Sequence, residues 1–243
     1  MLEQIIMANF VVSLGSIIGA IPLLIRSKKL ENFLIFFVSL SAGTLMGGAL
    51  IHLIPEASEV IDLETTMKLV LVSFTGFLLL EKILHWHHDH DPRKQGKTKQ
   101  VIGYMNLIGD LIHNFIDGLV IAASFKMNYG LGVASTIAIF MHEVPQELGD
   151  MGVLLHAGFS KFKAVYLNFL TALSAVLGGI SGYYLISGQN LTTYLLAIAG
   201  GGFIYIAASD LVPEIKKENK LVNSMVALLI FTLGFLVMIW LKD

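Results

Sequence analysis

The chain has 243 residues, of which 55% are hydrophobic and only 14% charged, with a formal net charge of -2 and a mean hydropathy of +0.75. Soluble domains carry about 25% charged residues, so this composition excludes an ordinary globular fold and points to an all-α polytopic membrane protein. Cysteine is absent, which excludes disulfides and leaves nitrogen and oxygen as the ligand atoms for any metal.

Apolar windows of about 20 residues predict eight spans in chain order: 4–25, 33–55, 66–84, 101–125, 130–158, 161–186, 191–212 and 219–241. The first run has neither a basic leader nor a small-residue cleavage site after it, so it reads as a span and not as a cleavable signal. The loops after the first, third, fifth and seventh spans hold 13 of the 16 basic residues, Arg26, Lys28, Lys82, Arg93, Lys161 and Lys216 among them. Only Lys68, Lys126 and Lys242 fall on the other side. Lysine and arginine concentrate on the cytoplasmic side, which puts both termini outside.

The second and seventh spans end alike, His52-Leu53-Ile54-Pro55-Glu56 and Asp210-Leu211-Val212-Pro213-Glu214, at a constant offset of 158. Glycine-rich stretches precede both, Gly43 to Gly48 and Gly200 to Gly202, where small residues permit close helix packing. A displacement of five spans makes the two helices antiparallel, as an inverted repeat requires. The expected organisation is one transmembrane domain over 1–243. It divides into a three-helix repeat at 1–86, a His-rich cytoplasmic loop at 87–100, two central spans at 101–158, and an inverted three-helix repeat at 161–243.

The central spans carry the chemistry. In the fourth, Asn106, Asp110, His113, Asn114 and Asp117 follow at i, i+4, i+7, i+8 and i+11 and line one helical face. In the fifth, His142, Glu143, Gln146, Glu147 and Asp150 repeat that spacing, and Pro145 among them lacks an amide hydrogen, which frees carbonyls nearby. An ionisable side chain at bilayer depth costs at least about 2.5–3.5 kcal/mol, and no lysine or arginine in either span lies at this depth to pair with the carboxylates. A divalent cation supplies the missing charge. A polar network that only fixes helix packing is the plainer alternative. His113 and Asp117, one turn apart, can grip one ion, while Asn114 and Asp117 can reach a second, so that Asp117 bridges.

The runs His113-Asn114-Phe115-Ile116-Asp117-Gly118 and His142-Glu143-Val144-Pro145-Gln146-Glu147-Leu148-Gly149-Asp150 resemble the signature of the ZIP family of divalent metal transporters, of the bacterial or archaeal type. The likeness extends to Gly109-Asp110, to the Pro-Glu ends of the second and seventh spans and to the His-rich loop. It implies eight helices in a three, two and three arrangement, a homodimer, and a binuclear site at mid-membrane. On that resemblance one metal is held by His113, Asp117, His142 and Gln146 and a second by Asn114, Asp117, Glu143 and Gln146, with Asn168 of the sixth span contributing. Gln146 stands where many members have histidine.

The expected function is alternating access by a carrier in the plasma membrane. A divalent ion, zinc first, with iron, manganese, cobalt or cadmium also suited to such ligands, passes inward along Asp110, Asn106 and His156. No prosthetic group, nucleotide or nucleic acid is expected, and the absence of a Gly-x-x-x-x-Gly-Lys-Ser/Thr run argues against coupling to ATP. His52 and Asp210 are divided between helix-end polar groups and a place on the metal route. The loop from His85 to Asp91 is divided between a solvated connector and a loose cation site. A metal-gated channel or a sensor stays open as an alternative. An intramembrane metalloprotease is disfavoured, because its His-Glu-x-x-His motif would have Gln146 in place of the second histidine.

Overall fold

The computed structural model describes residues 1–24, 28–86, 97–186 and 188–242. Almost all of them are helical. Eight helices follow in chain order: α1 (Leu2–Leu24), α2 (Lys28–Gly47, continued by a π-helical turn Gly48–Leu53 and Ile54–Val60), α3 (Leu63–Trp86), α4 (Lys97–Met127), α5 (Tyr129–His156), α6 (Lys161–Ala172 and Ser174–Leu185), α7 (Gln189–Ile206, a π-helical turn Ala207–Leu211, and Val212–Lys216) and α8 (Leu221–Trp240). Each predicted span coincides with one of them, its ends lying at most two residues beyond the helix.

Among the described residues six helices are long and apolar enough to cross a membrane. The remaining two, α3 and α5, match them in length at 24 and 28 residues. In α5 the polar run from His142 to Asp150 lowers the hydropathy of a helix whose N-terminal half is apolar. The chain is a multi-pass membrane protein.

One correction concerns the loop between α3 and α4. It was expected to run from 87 to 100, but α4 begins at Lys97; Lys97, Lys99 and Gln100 are good helix formers and extend the helix back from the apolar run that follows. His87, His88, Asp89, His90 and Asp91 lie outside the described residues.

Helix pairing has a regular pattern. The packed pairs are α2 with α8, α3 with α7, α1 with α5, and α4 with α6, and α4 also packs along α5. Exchanging α1 with α6, α2 with α7, α3 with α8 and α4 with α5 carries these pairs into one another. Glycines set three of the crossings. A Cβ on Gly43 would fall on the Phe231 carbonyl, one on Gly118 on the Ala175 carbonyl, and one on Gly201 on the Val70 carbonyl. Small residues let membrane helices approach to backbone contact in this way.

The π turns of α2 and α7 occur at the offset of 158 read from the sequence, and each lies just before a proline, Pro55 or Pro213. Proline removes one amide hydrogen and crowds the carbonyl four residues back; a wider turn relieves both effects. His52, in the first π turn, is buried, and its Nε2 lies 2.7 Å from the Met238 carbonyl oxygen of α8. That nitrogen therefore serves helix packing. Asp210, in the second, is exposed.

Hydroxyl groups tie the helices together where backbone carbonyls are free. Pro145 cannot donate to the Met141 carbonyl, and Ser41 of α2 does so instead. At the break in α6, Ser13 donates to Ala172 O over 2.7 Å and Ser174 to Leu111 O over 2.7 Å. The carbonyl freed by Pro145 is thus spent on α2 rather than left for a cation.

Candidate metal centre

The helices that carry the site form a hairpin joined by one extended residue, Asn128. Its side chain caps α5, accepting from Leu131 N over 2.7 Å, and also donates to Glu56 Oε1 over 2.8 Å. Further along, Ser124 donates to Ser135 over 2.9 Å and joins the two arms. His113 stands 15 residues before this joint and His142 14 residues after it, so in antiparallel helices of equal rise they reach the same level.

There the side chains of His113, Asp117, His142 and Glu143 converge, each offering one ligand atom within 4.8 Å of the others. His113 Nε2 is 3.3 Å from His142 Nε2, 3.5 Å from Asp117 Oδ2 and 3.3 Å from Glu143 Oε1. His142 Nε2 is 3.3 Å from Asp117 Oδ2 and 3.5 Å from Glu143 Oε1. A tetrahedron of ligands about 2.0–2.1 Å from its centre has edges of about 3.3–3.4 Å. These five edges match it.

Orientation is built in as well. His142 Nδ1 lies 3.2 Å from the Ala138 carbonyl oxygen, so a proton on Nδ1 donates there and the Nε2 lone pair faces the cluster. The edge of its ring packs against Phe203, with centroids 5.9 Å apart. Asp117 Oδ2 and Glu143 Oε1 are buried and accept no hydrogen bond. The His113 side chain is 17% exposed, against 4% or less for the other three, so the approach to the cluster passes His113.

This four-ligand set differs from the one the resemblance implies. Glu143 takes the place given to Gln146, which is half-buried on α5. A residue adjacent to His142 points about 100° away around the helix, and the two methylenes of Glu143 carry its carboxylate back. Asn114 donates through Nδ2 to Asp110 Oδ1 over 2.8 Å, which leaves its Oδ1 buried and without a donor.

A second group of acids, Asp110, Glu147 and Asp150, brings carboxylate oxygens within 4.8 Å of one another, about one and a half turns along both helices from the first. Asn106 Nδ2 donates to Asp150 Oδ1 over 2.9 Å, and Asn168 Nδ2 to the Glu147 carbonyl over 3.1 Å. Asn168, the candidate on the sixth span, therefore joins this group and not the tetrahedral one. Thr171, which sequence reasoning missed, donates to Asp110 Oδ2. Its position one turn after Asn168 was the available signal. His156 is exposed at the end of α5 and meets neither group.

Fold and site together define an all-helical multi-pass membrane protein with buried clusters of divalent-cation ligands. A family model described as ZIP zinc transporter matches residues 2–100 and 87–242. The chain belongs to the ZIP zinc transporter family, a family of divalent-metal transporters. It is 33% identical to zinc transporter ZIP13 of Pongo abelii over 248 residues, covering 91% of this chain and 73% of that protein. It is 32% identical to zinc transporter YKE4 of Saccharomyces cerevisiae over 224 residues, 80% of this chain and 65% of the relative. With zinc transporter SLC39A7 of Homo sapiens it shares 37% over 158 residues, 61% of this chain but 34% of the relative. These relatives are animal and yeast proteins, which does not bear out the expected bacterial or archaeal type.

Proposed function

We propose that the chain is a carrier that moves divalent cations, zinc first among them, across the plasma membrane into the cytoplasm by alternating access through His113, Asp117, His142 and Glu143. The observation that carries this reading is the agreement of five inter-ligand distances, 3.3–3.5 Å, with the edges of a zinc tetrahedron. Two carboxylates among four ligands balance the charge of one divalent ion, which lowers the cost of holding it in lipid. Two imidazoles make the set borderline in softness and suit zinc, with cadmium, cobalt, iron or manganese as competitors.

The positive-inside distribution supports inward-facing loops after α1, α3, α5 and α7, and termini outside. The exchange pattern of helix pairs supports a three, two and three arrangement with inverted repeats. Inward release follows Asp110 and Asn106, with His156 at the cytoplasmic end of α5. The homodimer rests on family resemblance. Hydrolysis is disfavoured because Glu143, the residue a metalloprotease would use as its base, is itself one of the four converging ligands.

Reconstituted vesicles test the proposal. Saturable zinc influx that is lost in Asp117→Ala is the expected result. Flux that never saturates would support a channel instead, and influx unchanged in the variant would overturn the site.

A further inference from the structure

We propose that Asp110, Glu147 and Asp150 form a second divalent-cation site, built from oxygen alone and distinct from the tetrahedral cluster. The proposal deepens the carrier reading, on which it rests for the ion's route. At the mean positions of their residues the two sites are five to six residues, about 8 Å, apart along α4 and α5.

Hydrogen bonding divides the oxygens of this group into two kinds. Both carboxylate oxygens of Asp110 are held, by Asn114 and by Thr171, and Oδ1 of Asp150 is held by Asn106. Those bonds fix the orientation of two acids. Asp150 Oδ2 and both oxygens of Glu147 accept nothing, although Glu147 is fully buried. Asn168, 1% exposed and bonded through its amide to the Glu147 carbonyl, also leaves Oδ1 without a donor. Among the described residues no lysine or arginine forms an ion pair with any of the three acids. A fully buried carboxylate with neither hydrogen bond nor counter-charge is costly. A divalent cation would satisfy Glu147, Asp150 Oδ2 and the amide oxygen at once.

The chemistry of the site differs from that of its neighbour. Carboxylate and amide oxygens without imidazole suit hard ions such as manganese and place zinc at a disadvantage. An ion passing from the imidazole cluster to the acids exchanges nitrogen ligands for oxygen ones and is held less tightly. The acid group therefore serves as a relay, a weaker station onto which the ion steps as it leaves the tetrahedral site.

The test uses the full chain in lipid nanodiscs, with manganese alone followed by paramagnetic resonance and zinc alone followed by calorimetry. The unsubstituted chain is expected to bind two ions. Glu147→Gln is expected to weaken manganese binding at least about tenfold while zinc still fills the tetrahedral site. His113→Ala with His142→Ala is expected to abolish tight zinc binding and keep manganese. Asp150→Asn, which preserves the Asn106 hydrogen bond, replaces Glu147→Gln if the latter does not fold. One ion per chain, or manganese binding unaffected by either acid variant, overturns the second site. Tight zinc binding that survives loss of both histidines overturns the carrier site instead, whatever manganese does.

Discussion

His113 Nε2 and His142 Nε2 face each other at 3.3 Å with their ring planes at 84°. Two protonated imidazoles do not share such a distance inside a membrane, since like charges at close range repel strongly in low dielectric. Removing either ring is expected to reduce zinc affinity by at least about tenfold, and Asp117→Ala to do the same. His156→Ala, whose side chain is remote from both clusters, is expected to leave the affinity within about twofold. Calorimetry on the purified variants checks the order, and a His156 variant as weak as a His142 variant would contradict it.

Zinc binding is also expected to depend steeply on acidity. Both imidazoles must be neutral to coordinate, so zinc binding displaces any proton they carry and weakens as pH falls. With two protons displaced, the limiting slope approaches about 100-fold per pH unit; with one it would be about tenfold. Titrations between about pH 7.5 and 5 separate the two.

Ser41 and Pro145 are predicted to be energetically coupled. Ser41→Ala strips a side-chain donor from the Met141 carbonyl, an acceptor Pro145 cannot serve, at an expected cost of about 1–3 kcal/mol. In a Pro145→Ala background the restored amide hydrogen satisfies that carbonyl, and the same serine substitution should cost much less. A double-mutant cycle on thermal stability measures the difference, and additive effects would refute the assignment.

At the crossing of α4 and α6, Gly118→Ala and Gly178→Ala are expected to destabilise the protein by about 1–3 kcal/mol each. A methyl group at either position meets a backbone carbonyl, Ala175 or Phe115, which cannot turn aside as a side chain would. Gly109→Ala, where nothing lies within 4 Å, is the control. Melting curves in detergent decide the matter.

Asp62, exposed between α2 and α3, accepts from Thr65 N over 2.8 Å, and that amide holds its carboxyl below the usual carboxylate range. A depressed acid stabilises the fold above its unfolded pKa and loses that contribution as pH falls through the folded one. Asp62→Asn keeps an N-cap without the charge. The stability difference between the two proteins is therefore expected to hold above about pH 5 and to shrink as pH falls below about 4, as melting temperatures would reveal.

The spans and the residues of the two polar runs were legible in the sequence, because hydropathy and helical spacing are local properties. The partition of those residues was not. Spacing groups His142 with Gln146, one turn away, whereas the folded chain bends Glu143 back to the same point. Such choices depend on side-chain reach and on the facing helix. The Ser41 to Met141 bond was hidden for the same reason, since its partners stand 100 residues apart. The π turns were signalled by Pro55 and Pro213, but proline alone does not say whether a helix kinks, breaks or widens.

Every ligand atom of the tetrahedral cluster comes from one helical hairpin whose arms are joined by the single residue Asn128. Such a unit can enter the bilayer as a pair and set its geometry through contacts nearby in sequence, before the flanking repeats have closed around it. On the carrier reading proposed above, the cage would travel as one body, and what opens and closes would be the wall of helices on either side.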